Sequence, residues 1–201
     1  MRFARLSTIA VSCSLLLLGG DFASAHCDGL DGPVVKAAQR ALQTNNVNLV
    51  LIWVDKSSEG ELTSVFRQTV VVRKLSQESR ALADRHFFET LVRLHRTGEG
   101  APYTGLKAAG RDLGPVIPAA DRAIESGNTG ALEALLVNEL RSGLRQSFAE
   151  LQAKRKYDPN DVAAGRAYVK AYVEYVHFVE RLHEAMTNSA DGHYAETASA
   201  R

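Results

Sequence analysis

The sequence predicts an all-α protein, a duplicated helical bundle of four longer helices and two short ones with pseudo-twofold symmetry. Three observations predict it. The first is an ungapped internal repeat: GPVVKAAQRALQTNN, residues 32–46, returns 82 residues later as GPVIPAADRAIESGN, residues 114–128. Gly, Pro, Val, Ala, Ala, Arg, Ala and the closing Asn coincide. At the same offset Leu62 meets Leu144, Phe66 meets Phe148, Arg73-Lys74 meets Arg155-Lys156, and Leu94-His95 meets Val176-His177. The second is helix punctuation at matching places in both halves. The third is apolar residues at helical spacing, Phe87, Leu91 and Leu94 in one half and Val169, Val173 and Val176 in the other.

The elements follow in order. Pro33 and Pro115 sit where proline suits the first turn of a helix, because its missing N–H would have had no intrahelical partner. Asp31 and Asp112 lie just upstream as capping candidates. These short helices end at the turn signals TNN and ESGN. Residues 48–75 and 130–157 are each long enough for a helix, with SSEG (57–60) a candidate break in the first. NLVLIWV alone reads equally as a buried strand, but its counterpart ALEALLV is plainly helical, which decides for helix. The last helix of each half follows a capping signal: SQES before residues 80–96, DPND before residues 162–186. Residues 97–114 carry glycines, a Pro-Tyr pair and little periodicity, and a loop of that length is uncommon without a function. Residues after 188 read as a polar tail.

Ahead of the repeats, residues 1–25 read as a secretory signal peptide. Arg2 and Arg5 supply the positive start, STIAVSCSLLLLGG the short apolar core, and Ala23-Ser24-Ala25 the small residues at a cleavage site. Cutting after Ala25 leaves 176 of the 201 residues, with His26 first. The expected location is therefore periplasmic or extracellular, and residues 26–188 form one helical domain, its repeats at about 32–96 and 114–186.

Charge and cysteine usage narrow the partners. The leader removes Arg2, Arg5 and Asp21 from 24 basic and 23 acidic residues, leaving 22 of each. No basic stripe points to nucleic acid and no second apolar run points to a membrane span; a homo-oligomer stays open. Cys13 leaves with the leader, so Cys27 is the sole remaining thiol, and a lone exported cysteine forms no internal disulfide.

That thiol stands beside the new terminus. A terminal His26-Cys27 offers the α-amine and first amide nitrogen as a five-membered chelate, with imidazole and thiolate arms. Nitrogen and sulfur donors of this kind suit nickel, copper or zinc rather than magnesium or calcium. Such an ion would displace the protons on amine and thiol, so binding should strengthen with pH. The competing reading is a cleavage site that happens to precede a histidine, with Cys27 packing as a small hydrophobe.

The stretch HCDGLDG resembles the N-terminal nickel hook of nickel superoxide dismutase, whose mature chain also begins His-Cys-Asp and runs into a four-helix bundle. In that family the terminal amine, the next amide, two cysteine thiolates and the histidine imidazole surround nickel. The resemblance implies those roles for His26 and Cys27, and a redox chemistry resembling superoxide dismutation. The departure is at Asp31, which stands where the family has its second hook cysteine, and the family's nearby tyrosine is unmatched. Through most of its mature length the chain also resembles an uncharacterised family of small exported bacterial proteins that begin HCD-x-x-DGPVV. That resemblance implies no established activity.

His95 and His177 add a second line. Each lies on the apolar face of its helix at equivalent positions of the repeat, so a pseudo-twofold could bring two imidazoles together for the hook to complete. The plainer alternative is a pair of core histidines bonded to carbonyls. EYVH (Glu174, His177) and ERLH (Glu180, His183) match the step of di-iron bundles. Both lie on one helix, though, and Val92 stands where Glu174 has its counterpart. Asp28, Asp31, Glu89, Glu99 and Tyr103 remain as supporting groups. No Ser-His-Asp order, phosphate loop or paired zinc cysteines occur. The metal ligands expected from sequence are thus His26, Cys27, His95 and His177, holding a nickel or copper ion. The competing expectations are a non-catalytic metal carrier or sensor, and a structural or interaction bundle without metal.

Overall fold

A computed structural model describes residues 26–188; residues 1–25, the expected leader with Cys13, and residues 189–201, the expected tail with His193, lie outside the described residues. The described chain is all-helical, as expected. Its helices are α1 (Pro33–Thr44), α2 (Asn48–Leu51), α3 (Glu59–Val72), α4 (Gln77–Gly98), α5 (Val116–Ser126), α6 (Gly130–Lys154) and α7 (Val162–Thr187), with a 3-10 turn at Lys56–Ser58. Among the described residues the sole bridge between extended segments joins Gly29 to Lys107.

Helix ends follow the local chemistry. α1 begins with Pro33 in its first turn and stops where Asn45 turns left-handed at φ 53°, its N–H donating to the Ala41 carbonyl. α5 stops in the same way at Gly127, φ 66°, whose N–H donates to Ala123. The two stops are 82 residues apart, as are the last residues of α3 and α6, Val72 and Lys154. Ser76 Oγ accepts the Ser79 N–H at the start of α4, and Asp161 Oδ1 accepts the Ala164 N–H at the start of α7, both at 3.0 Å.

Two local expectations are corrected. Residues 48–75 do not form one helix: α2 ends at Leu51, and a turn and the 3-10 segment intervene before α3. Asp31 does not cap α1, whose N-cap Gly32 has no side-chain cap. Asp31 Oδ2 instead accepts the Gly110 N–H at 2.7 Å, across to the long loop.

The core belongs to the first half. Val34, Val35, Val50, Leu62, Phe87, Leu91 and Val92 are fully buried where α1, α2, α3 and α4 meet, and Tyr103 and Leu106 from the long loop close its edge. Phe87 stacks obliquely on Phe66 with centroids 5.5 Å apart. α5 packs on α6 and α6 on α7. The α6–α7 seam closes around Ala171, Leu151 and Gly143, where a Cβ would stand 2.9 Å from the Phe178 ring. The second half, three helices where the first has four and a 3-10 turn, buries far less. The stripe Val169, Val173, Val176, counterpart of buried Phe87, Leu91, Leu94, is 54%, 43% and 41% exposed.

Candidate metal site

The N-terminal segment reaches the core through its backbone. Lys107 N–H donates to the Asp28 carbonyl at 2.9 Å and Leu30 N–H donates to the Lys107 carbonyl at 3.0 Å, pinning residues 28–30 to the long loop. Gly32 N–H donates to Gly29 and Gly29 N–H to His26, so the chain folds back on itself before α1. At Gly32 a Cβ would stand 2.1 Å from the His26 carbonyl oxygen, which leaves room for glycine alone. Asp31 and Gly32 therefore fold Cys27 back over the start of α1, where it is half-buried against the core.

There Cys27 meets the end of α4. One ligand atom each from Cys27, His95 and Glu99 lie within 4.8 Å of one another. An ion about 2.0–2.3 Å from each donor holds neighbouring donors roughly 3.3–3.8 Å apart in a tetrahedral site, so the widest pair would have to draw in by about 1 Å for one ion to meet all three. His95 and Glu99 are four residues apart and share a helix face, with Nε2 and Oε1 3.4 Å apart. His95 is almost wholly buried. Its Nδ1 lies 3.0 Å from the Trp53 carbonyl. A carbonyl only accepts, so Nδ1 carries the proton and, in the neutral ring, Nε2 keeps its lone pair on the side of Glu99. Trp53 also meets the imidazole edge-on, centroids 5.8 Å apart.

One guanidinium serves both carboxylates beside the group. Arg96 Nη1 donates to Glu99 Oε2 at 2.8 Å, and its Nε lies 3.6 Å from Asp28 Oδ1; Asp28 and Arg96 are both buried. The pair with Glu99 turns Oε2 toward Arg96 and leaves Oε1 toward His95. Burial raises the Asp28 carboxyl above its usual range, and Arg96 opposes that rise. The Cys27 thiol is pushed up to about 11, first by burial and then by the charges of Glu99 and Asp28. At neutral pH it is a thiol until a cation displaces its proton.

The expected ligands therefore separate. Cys27 and His95 come together. The His26 ring lies elsewhere, its Nε2 2.8 Å from Asp121 Oδ2 on α5. His177 does not join the cluster: its side chain is 58% exposed, and Nδ1 pairs with Glu180 Oε2 at 2.9 Å on the same helix. Glu174 pairs with Lys170 and Glu180 with His177, so neither the EYVH nor the ERLH step brings its own glutamate and histidine together. Tyr103 lines the core edge, its hydroxyl raised by burial. In the sequence Glu99 is one acid among several; the signal that marks it is its four-residue step from His95. No such signal marked Trp53, whose role depends on its main chain.

Fold and geometry together define an all-α protein with a Cys-His-Glu group at the junction of its N-terminal segment and the end of α4. Residues 31–178 match the model of a family of unknown function, DUF6448, and the chain belongs to that family. The match contains His95 and Glu99 and begins four residues after Cys27. No curated protein and no solved structure matches the chain. Among the described residues no helix is long and apolar enough to cross a membrane.

Proposed function

We propose that this chain is an exported transition-metal-binding protein that holds nickel or copper through Cys27, His95 and Glu99. The observation that carries the reading is the convergence of one sulfur, one nitrogen and one oxygen donor within 4.8 Å, drawn from segments far apart in sequence. Thiolate and imidazole favour late transition metals over magnesium or calcium. The bond from Nδ1 to the Trp53 carbonyl is the support that metal-binding imidazoles ordinarily have. Cleavage after Ala25 would add the His26 α-amine beside Cys27 as a further nitrogen donor. With that amine the donors number four, a set that suits a held late transition metal.

The test is intact mass with elemental analysis on protein exported by its own leader and challenged with nickel and copper. The expected result is a chain beginning at His26 with about one ion bound, lost in both Cys27→Ser and His95→Ala. A chain that stays metal-free after the challenge, or that retains its ion in both variants, overturns the reading. A superoxide assay on the loaded protein then separates a redox enzyme from a carrier.

A further inference from the structure

An exposed apolar stripe runs along α7, away from the Cys-His-Glu group. Val169, Tyr172, Val173, Val176 and Val179 recur at helical spacing along one side of α7, with Val162 at its start, and all are exposed. Phe148 of α6, 46% exposed, lies against Tyr175 beside this stripe, ring centroids 5.6 Å apart. The helix uses a different face, with Ala171 and Phe178, to pack on α6. Two helices cannot bury two apolar faces of one of them, so the second face needs a further layer.

The repeat shows what that layer looks like. The residues 82 positions earlier, Phe87, Leu91 and Leu94, are buried, and α1 lies against α4. The counterpart of α1 is α5, which lies against α6 and leaves the α7 stripe open. We infer that a second copy of this chain covers it, in an antiparallel α7-to-α7 pairing centred on Val173 that makes a four-helix bundle from two α6–α7 hairpins.

Area and charge both favour this occupant. The stripe with Phe148 exposes on the order of 600 Å², most of the roughly 800 Å² that each partner contributes to a stable interface. Arg166 and Glu180 are both exposed and stand seven residues on either side of Val173. Antiparallel pairing about Val173 sets Arg166 of one copy against Glu180 of the other, and the twofold repeats the pair.

The experiment is sedimentation velocity with light scattering on the chain exported by its own leader, with far-ultraviolet circular dichroism as the fold control. The expected species has twice the chain mass. Val173→Lys should give single chains with unchanged helicity. Arg166→Glu should raise the dimer dissociation constant about tenfold or more, and Arg166→Glu combined with Glu180→Arg should restore it. A chain that stays single at about 100 μM, where even a weak dimer of this size would form, overturns the inference, whatever else it binds. So does a dimer indifferent to Val173→Lys. A double variant no tighter than the single one rejects the antiparallel register.

Discussion

The main-chain carbonyl of Trp53 accepts a hydrogen bond from Nδ1 of His95, 3.0 Å away and 42 residues on in the chain. Trp53 is available for this because the helix beginning at Asn48 stops at Leu51. In a continuous helix the same carbonyl would be committed to the amide four residues later. The interruption of 48–75 thus has a use: it supplies the acceptor that sets the imidazole tautomer beside Glu99 and Cys27.

Metal-free protein should lose stability in alkali through Cys27. Its folded thiol is raised from 9.0 to about 11, so the stability it contributes is fully present below pH 9 and disappears as pH rises through about 11. Denaturant unfolding between pH 8 and 11 should show a fall that is shallower in Cys27→Ser. Equal slopes would mean that the thiol is not held protonated in the fold. On the proposed function the dependence should reverse once metal is added, because binding would release the thiol proton and so strengthen as pH rises.

Gly32→Ala should unseat the N-terminal turn while α1 survives. The added methyl would lie 2.1 Å from the His26 carbonyl, and α1 keeps its proline start and its buried face. Near-native helicity by circular dichroism, with metal retention at least tenfold weaker, is expected from moving one ligand. A variant that binds as tightly as the parent would show that Cys27 does not depend on this turn.

Arg96→Met should be costly. It would leave Asp28, buried with its Oδ1 3.6 Å from the guanidinium, and Glu99 without their common counter-charge. Removing one partner of a buried pair costs about 3–5 kcal/mol. Arg73, whose two bonds to Asp84 are 2.8 and 3.0 Å, lies at a more exposed place. Its replacement, which also removes a bond to the Leu42 carbonyl, should cost less, about 1.5–3 kcal/mol. Urea midpoints of the two variants give the ordering, and a comparable loss in both would contradict it.

Equivalent positions of the repeat should respond unequally. Leu91→Ala opens a cavity in a fully buried site and is expected to cost about 2–5 kcal/mol. Val173→Ala, at a 43% exposed site, should change the stability of the single chain by about 0.5 kcal/mol or less. Thermal unfolding in dilute solution compares them, and a large loss from Val173→Ala there would mean that the single chain already buries this face.

Much of the helical layout was legible in the sequence because it is local chemistry. Gly-Pro starts, Ser76 and Asp161 caps and the left-handed stops at Asn45 and Gly127 depend on residues within a turn of each other. The HCD-x-x-DGPVV motif was legible as a pattern, but its meaning lies in contacts across the fold: Asp31 to Gly110, Gly32 under the His26 carbonyl, Asp28 beside Arg96.

By itself, then, the sequence determined an all-α chain, most of its helix starts and stops, and the prominence of Cys27, with Glu99 standing as one acid among several. Tertiary structure decided which of two equivalent stripes is buried, that His26 faces Asp121, and that His177 stays at the surface while His95 meets Cys27. The physical reason is that helical periodicity marks a face as apolar without naming its cover. Similar residues 82 positions apart take different environments because α1 packs on α4, whereas α5 packs on α6.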